Sequence, residues 1–357
     1  MGSVTGLSGH FQSETPLHPA AAEFLTDAFN RGWASPAKIH QESRKTALLL
    51  NEAKEIFFTH LGLRPEELNF LGDTPLAFHL GISGFATPAG TVYYPATSRS
   101  MAYAVAKSHP HQQLPVNRQG YSQIPSNSRA EDLLVWQAVN AETGLIGIDP
   151  GDFRGSIFVD SVNSAVPIPQ WEKASWSAAV WDSRAWQGPA GLSIFAVRDR
   201  SSWINPLPHN DSKATSGNFS IPLAIASAIA LDNHIKESAS AYDRLLALNA
   251  TIRNFIFSEF PGANIAAELD TTVPHLISFT IPGIDSQWLI NELDREGLAV
   301  DTGSACMSMN MQPSHVLAAM GLPVTGNIRL RLRNEHTESD VADLLSKIKT
   351  LSAPFVA

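Results

Sequence analysis

Apolar residues recur three and four apart from Ala20 to Phe29, and again through "IHQESRKTALLLNEAKEIFFTHL" from Ile39 to Leu61. That spacing is the period of an amphipathic helix. Short apolar runs then take over: "ELNFLG", "GTVYYPAT", "EDLLVWQAV", "GSIFVDS", "SAAVWDS" and "LSIFAVR". Each has the length of a buried strand and turn residues at its ends. Strands alternating with helical stretches predict an α/β fold: a mostly parallel sheet wrapped on both faces, with ligands at the carboxyl ends of the strands. The stretch "SHPHQQLPVNRQGYSQIPSNSRAED" reads as a polar, proline-bearing loop.

From Ile221 to about Phe260 the pattern is helical almost throughout and predicts two helices with a bend, bridging two domains. Beyond it come a strand "HLISFTIPG", a helix "SQWLINELDREG", a strand "LAVDTG", a loop carrying the single cysteine, a short helix "PSHVLAAMG", a strand "NIRLRLR" and an amphipathic helix "ESDVADLLSKIKTL". This order predicts a small α+β domain. The division expected is a large α/β domain over residues 1–234 and a small C-terminal domain over 235–357, with the chain up to about residue 20 packing on the small domain.

A chain of 357 residues with 44% hydrophobic side chains can bury two cores. Its net charge of -9 and lack of basic runs argue against nucleic acid and anionic membranes as partners. No apolar run approaches the roughly 18 residues of a membrane helix. The N-terminus "MGSVTGLSGHFQSETPLHP" has no basic region followed by an apolar core, so a cytoplasmic address is expected. One cysteine rules out an internal disulfide and a cysteine-cluster metal site, and no metal is expected. That residue, Cys306 in "DTGSACMSM", lies among glycine, serine, alanine and asparagine, which suits an accessible thiol on a loop better than a core filler.

The segment "AVDTGSACMSMNMQPSHVLAAMGLP" followed by "GNIRLRLRNEHTESDV" resembles the cysteine desulfurase family of the class V aminotransferases, in the subgroup with a Ser-Gly-Ser-Ala-Cys loop. Fainter likenesses run through most of the chain: "TPLHP", "ASPAKIHQESRK", "VNAETG", "FVDSVNSA", "GPAGLSIFAVR" and "TSGN". The resemblance implies a homodimer of aminotransferase fold type I. It also implies a pyridoxal phosphate carried on a lysine Schiff base, where the ring is an electron sink and the lysine moves the substrate's Cα proton. The loop cysteine would take the sulfur of substrate cysteine as a persulfide, releasing alanine.

Three residues match the family's pattern. Asp160 falls on the partner of the pyridine nitrogen, although an Asp there also suits a turn cap. Arg329 falls on the arginine that pairs with substrate carboxylate, although the alternation with Arg331 and Arg333 also suits a solvent-facing edge. Cys306 falls on the nucleophile. The rest departs. Counting back from Gly188 and Pro189, the lysine position is Ala185, the histidine before it is Arg184 and a phosphate-binding serine is Asp182, whose carboxylate would repel phosphate. The asparagine at the ring hydroxyl becomes Ala141, the glutamine near the aspartate becomes Asn163, and the stacking histidine aligns with Arg99. Of the phosphate cradle only Thr74 remains, with Asp73 beside it, and "ATSGN" lacks the family's arginine.

These changes imply a desulfurase-like protein that keeps the fold, the dimer and Cys306 but holds pyridoxal phosphate without a covalent link or not at all. Its expected roles are a non-catalytic subunit, a sulfur-accepting thiol protein with a sulfur-transfer or scaffold partner, or an enzyme of unrelated chemistry. The alternative is an active pyridoxal phosphate-dependent desulfurase or lyase with a displaced lysine. Lys213 is the leading choice, and Lys173 is the only other lysine between Lys107 and Lys236. A cofactor-free thiol enzyme would pair Cys306 with His315, His209 or His79. The tryptophans around the altered segment, Trp171, Trp176, Trp181 and Trp186, are either core or fillers of a vacated cofactor pocket.

Overall fold

The computed structural model describes residues 7–164, 173–209, 219–303 and 313–355. In chain order its elements are α1 (Pro19–Arg31), α2 (Gln41–Leu61), β1 (Leu68–Leu71), α3 (Thr74–Ser83), β2 (Val92–Pro95), α4 (Ser100–Ala106), β3 (His111–Leu114), β4 (Leu133–Gln137), β5 (Ser156–Asp160), β6 (Ala178–Asp182) and β7 (Ser193–Val197). They continue with α5 (Ile221–Glu259), β8 (Asn264–Ile265), β9 (Leu276–Thr280), α6 (Ser286–Arg295), α7 (His315–Ala319), β10 (Asn327–Arg331) and α8 (Glu338–Ser352).

The large sheet runs β1-β7-β6-β5-β4-β2-β3 and is parallel except for β7, which lies antiparallel to both neighbours. Successive residues of its central strands enter opposite cores, as the two-residue period of a strand requires. Leu134, Trp136, Ile157, Val159 and Trp181 join one buried cluster with α1, α2 and the start of α5. Leu133, Val135, Phe158 and Val180 join another under α3 and α4. Helix α3 comes close because Gly81 has no side chain: a Cβ there would lie 2.2 Å from the Phe158 ring. This approach fixes Thr74, at the start of α3, over the carboxyl ends of the strands.

The sheet has one strand that the hydrophobic pattern does not reveal. β3 pairs with β2 in parallel, Val92 opposite His111, but it is an edge strand whose His111, Gln112 and Gln113 are exposed. A polar edge protects the sheet from stray pairing and leaves no apolar signature.

Helix α5 corrects a second expectation. It is one continuous helix of 39 residues, not two with a bend. Neither Pro nor Gly interrupts its polar middle, and Lys236 reaches back to Asp232 at 2.5 Å across one turn. Its first half is buried from Ala224 to Leu231 against the large sheet, and its second half contributes the stripe Ala241, Leu245, Leu248, Ile252 and Ile256 to the core of the smaller unit. That core also holds Phe11, Phe279, Leu289, Ile328, Leu330 and Leu344 around the antiparallel order β10-β9-β8.

The segment "LAVDTG" makes only isolated bridges, Ala299 with His10 and Asp301 with Arg329, and no strand. The N-terminal chain takes the other ladder positions: the Phe11 amide donates to the Ala299 carbonyl, and the Arg331 amide donates to the Phe11 carbonyl. Among the described residues no helix is long and apolar enough to cross a membrane.

Candidate functional site

A cavity of about 660 Å³ opens at the carboxyl ends of β2, β5 and β6, where a wrapped parallel sheet places its ligands. Arg99, Ala141, Asn163, Asp182, Ala185 and Arg329 line it, joined by Glu14 and Thr15 of the N-terminal segment and by Arg331. Asp160 and Thr74 stand behind this wall, bonded to Arg99 and Asp182 respectively. Cys306 and Lys213 lie outside the described residues. The structure thus gathers Ala185, Asp160, Asn163, Thr74, Arg99 and Arg329 around one volume.

Each carboxylate from the ends of β5 and β6 has its own cation. Asp160 is 1% exposed; one oxygen accepts the Val162 amide at 3.1 Å and the other pairs with Nε of Arg99 at 3.1 Å. Arg99 follows β2 at the N-cap of α4, so the chain delivers its guanidinium directly over Asp160. Its Nη2 is buried without a hydrogen-bond acceptor.

Asp182 ends β6 and caps the 3₁₀ turn Ser183–Trp186 by accepting from the Arg184 amide at 2.9 Å. It also accepts from Nε and Nη2 of Arg184, at 2.9 and 2.8 Å, and from the Thr74 hydroxyl at 2.7 Å. Burial pushes its carboxyl up, but the Arg184 and Thr74 bonds outweigh burial and hold it below the usual aspartate value. The repulsion expected of a lone Asp182 is therefore muted within the chain by Arg184. The same bonds take up the Thr74 hydroxyl, which Ser193 also contacts at 2.6 Å.

Ala185 sits in that turn, buried, with its carbonyl accepting from Nη2 of Arg331 at 3.2 Å. Just after it, Gln187 has φ 58°, the one positive value outside glycine among the described residues. Arg329 is bound to Asp301 at 3.3 Å, and Asp301 also accepts the Ser13 amide at 2.7 Å. Among the described residues Arg331 bonds no carboxylate, although Asp301 is near enough to attract it. Desolvation, then its neighbours Arg333 and Arg329, lower its pKa to about 10.

The remaining candidates have their own partners, and the pairing of any histidine with Cys306 falls outside the described residues. His315 is bonded to the Ser98 carbonyl at 2.9 Å, His209 to the Leu207 carbonyl at 2.7 Å, and His79 lies 3.4 Å from the Ser83 hydroxyl. Lys173 is exposed and faces Asp152 at 3.7 Å. The tryptophan fillers do not materialise. Trp181 and Trp186 are fully buried in the core, Trp186 donating to the Ser227 carbonyl at 3.1 Å, and Trp176 stacks its face on Arg198. None of these three lines the cavity; Trp171 lies outside the described residues.

Sequence reasoning missed Arg331 as a wall of the site and Glu142 as its buried neighbour. The alternation in "NIRLRLR" carried the first signal: if Arg329 faces the site, Arg331 shares that face. Glu142, 6% exposed beside Ala141, has its carboxyl pushed up by desolvation against the opposing pull of Ser314, Arg329 and His315.

The described residues of this cavity do not fit pyridoxal phosphate. No lysine is among the cavity's described lining, Asp160 is already matched by Arg99 where a pyridinium would need it, and Asp182 already occupies Thr74. What the walls offer instead is guanidinium groups, suited to small anions.

Comparison with known proteins agrees with this architecture. Residues 207–344 match the family pattern described as Aminotransferase class-V. The chain is 23% identical to the cysteine desulfurase IscS of Dictyoglomus turgidum over 96% of this chain and 95% of that one. It is 25% identical to an IscS-like cysteine desulfurase of Mycobacterium tuberculosis, covering 92% and 91%. Among solved structures, a NifS-like protein superposes with a TM-score of 0.82 at 21% identity over 96% of this chain and 99% of that one. The apo cysteine desulfurase of Thermococcus onnurineus gives 0.79 at 15% identity, covering 97% and 94%. The chain has aminotransferase fold type I, carries the class V aminotransferase pattern over residues 207–344, and is similar along most of its length to cysteine desulfurases.

Proposed function

We propose that this protein keeps the desulfurase fold but no longer holds pyridoxal phosphate covalently or releases sulfur from cysteine, acting through binding at its arginine-walled cavity. The observation that carries this reading is the ion pair of Arg99 with Asp160, together with an alanine at position 185. A buried carboxylate already paired with a guanidinium is a weaker partner for a protonated ring nitrogen. The Asp182, Arg184 and Thr74 network adds to it, since a carboxylate stands where a phosphate would have to be received.

On this reading Cys306 is a retained thiol without a sulfur supply from its own chain, able to serve in transfer from a protein partner. A homodimer and a cytoplasmic setting belong to the same proposal. Leu48 and Leu49 on α2, 63% and 39% exposed, are apolar surface that a second copy would cover. The test is to incubate the purified protein with pyridoxal phosphate and cysteine, recording visible absorbance and released alanine. No absorbance band and no alanine are expected. A band with turnover would overturn the proposal and return attention to Lys213.

A further inference from the structure

Beside the larger cavity lies a second one of about 270 Å³, between β10, the middle of α5 and the segment leading into β9. Its described lining contains Arg331, Arg333, His234 and His275 and not one Asp or Glu. The two arginines arrive there by strand geometry. Residues two apart on an extended chain share a face, and the pairing persists past β10 because the Leu332 amide donates to the His275 carbonyl at 2.8 Å.

Four buried polar atoms of this lining lack partners among the described residues. Arg333 is 4% exposed; its Nη2 donates to the Glu14 carbonyl at 2.9 Å, while Nε and Nη1 have no acceptor. Nδ1 of His234 and Nε2 of His275 are likewise buried without partners. Ser238 takes the other ring nitrogen of His234, at 3.2 Å. Nearby acids are committed or lie outside the cavity: Asp301 bonds Arg329, Glu237 pairs with His18 at 3.2 Å, and Glu335 is exposed. Native proteins seldom leave several buried polar atoms unmatched, and the free Nε and Nη1 donors of Arg333 among them mark the place of an acceptor from outside.

We propose that this cavity binds a small dicarboxylate, one carboxylate facing Arg331 and the other facing Arg333. The two Cα positions are roughly 7 Å apart along the strand, a separation that suits two anionic groups on a short carbon chain better than one compact tetrahedral anion. Burial and the neighbouring Arg331 keep both histidines neutral in the empty cavity, with His234 lowered to about 4. A bound dianion offsets the arginine charge and makes protonation of His234 easier. The site does not depend on the fate of pyridoxal phosphate, so its test and that of the cofactor proposal can fail separately.

The experiment is isothermal titration of the full chain with succinate and, separately, with inorganic phosphate at constant ionic strength. Saturable succinate binding, at least about 10-fold tighter than phosphate, is expected. Arg331→Gln and Arg333→Gln should each weaken it by about 10 to 100-fold, the loss of one charge-assisted pair, while Arg118→Gln on the surface leaves it unchanged. Because Arg333→Gln also loses its bond to Glu14 and can misfold, the wild-type protein supplies a second readout: the NMR titration of His234 should move up from about 4 when succinate is present. No saturable binding, phosphate bound as well as succinate, or an unmoved His234 titration overturns the proposal.

Discussion

The two cavities share Ala185, Asn163, Thr15 and Arg331, yet they are balanced in opposite ways. In the larger one, three of the four arginines are matched to carboxylates: Arg99 to Asp160, Arg184 to Asp182 and Arg329 to Asp301. The described lining of the smaller one has no acid, and there Arg331 and Arg333 face two histidines that burial keeps neutral. The same fold has thus matched Arg99, Arg184 and Arg329 within the chain and left Arg331, which lines both cavities, and Arg333 in want of an anion. An arginine removed from the first strands a buried charge, whereas one removed from the second relieves repulsion.

The largest effect should follow from Arg99→Gln, which leaves Asp160 buried and unpaired at a cost of about 3 to 5 kcal/mol in denaturant unfolding. Adding Asp160→Asn should recover most of that loss, because the penalty comes from the stranded charge. Full destabilisation in the double variant would show that packing, not charge, is at stake.

Next in size is a pH effect from the smaller cavity. His234 has a folded pKa of about 4, below its ordinary 6.5, so the unfolded chain binds more protons between these values. Its contribution is intact above about pH 6.5 and is lost as the pH falls toward 4, by up to about 3 kcal/mol. His275, lowered for the same reason of burial, acts in the same direction. His234→Asn should flatten the stability profile across that window, as followed by thermal unfolding at a series of pH values.

Asp182→Asn should cost about 2 kcal/mol, since it removes the charge from the bonds to Arg184 while leaving Thr74 an acceptor. Smallest of all is Arg331→Gln. Its stability should stay within about 1 kcal/mol of the parent or rise, because no carboxylate is abandoned. A loss as large as that of Arg99→Gln would erase the contrast between the cavities.

Much of the fold was legible in the chain because the buried strands are short, apolar and bounded by turns: β4, β5 and β6 occupy the runs that their composition marks. β3 was not, since an edge strand of His and Gln carries no hydrophobic signal. The unbroken course of α5 was hidden by its polar middle, where exposure between two cores imitates a bend. In the site, Ala185 and Asp182 stand out as departures from the family pattern, but the chain alone presents Asp182 as an isolated acid. That Arg184, two residues on, folds back to neutralise it is a property of the 3₁₀ turn. Arg331 and Arg333 were visible only as an alternation whose facing direction depends on tertiary packing.

Borohydride reduction of the protein after incubation with pyridoxal phosphate, followed by peptide mass spectrometry, tests the central claim most directly. A site with alanine at position 185 and its carboxylates already matched should yield no stoichiometric pyridoxyl-lysine anywhere in the chain. A stoichiometric adduct on one lysine, Lys213 above all, would contradict the account.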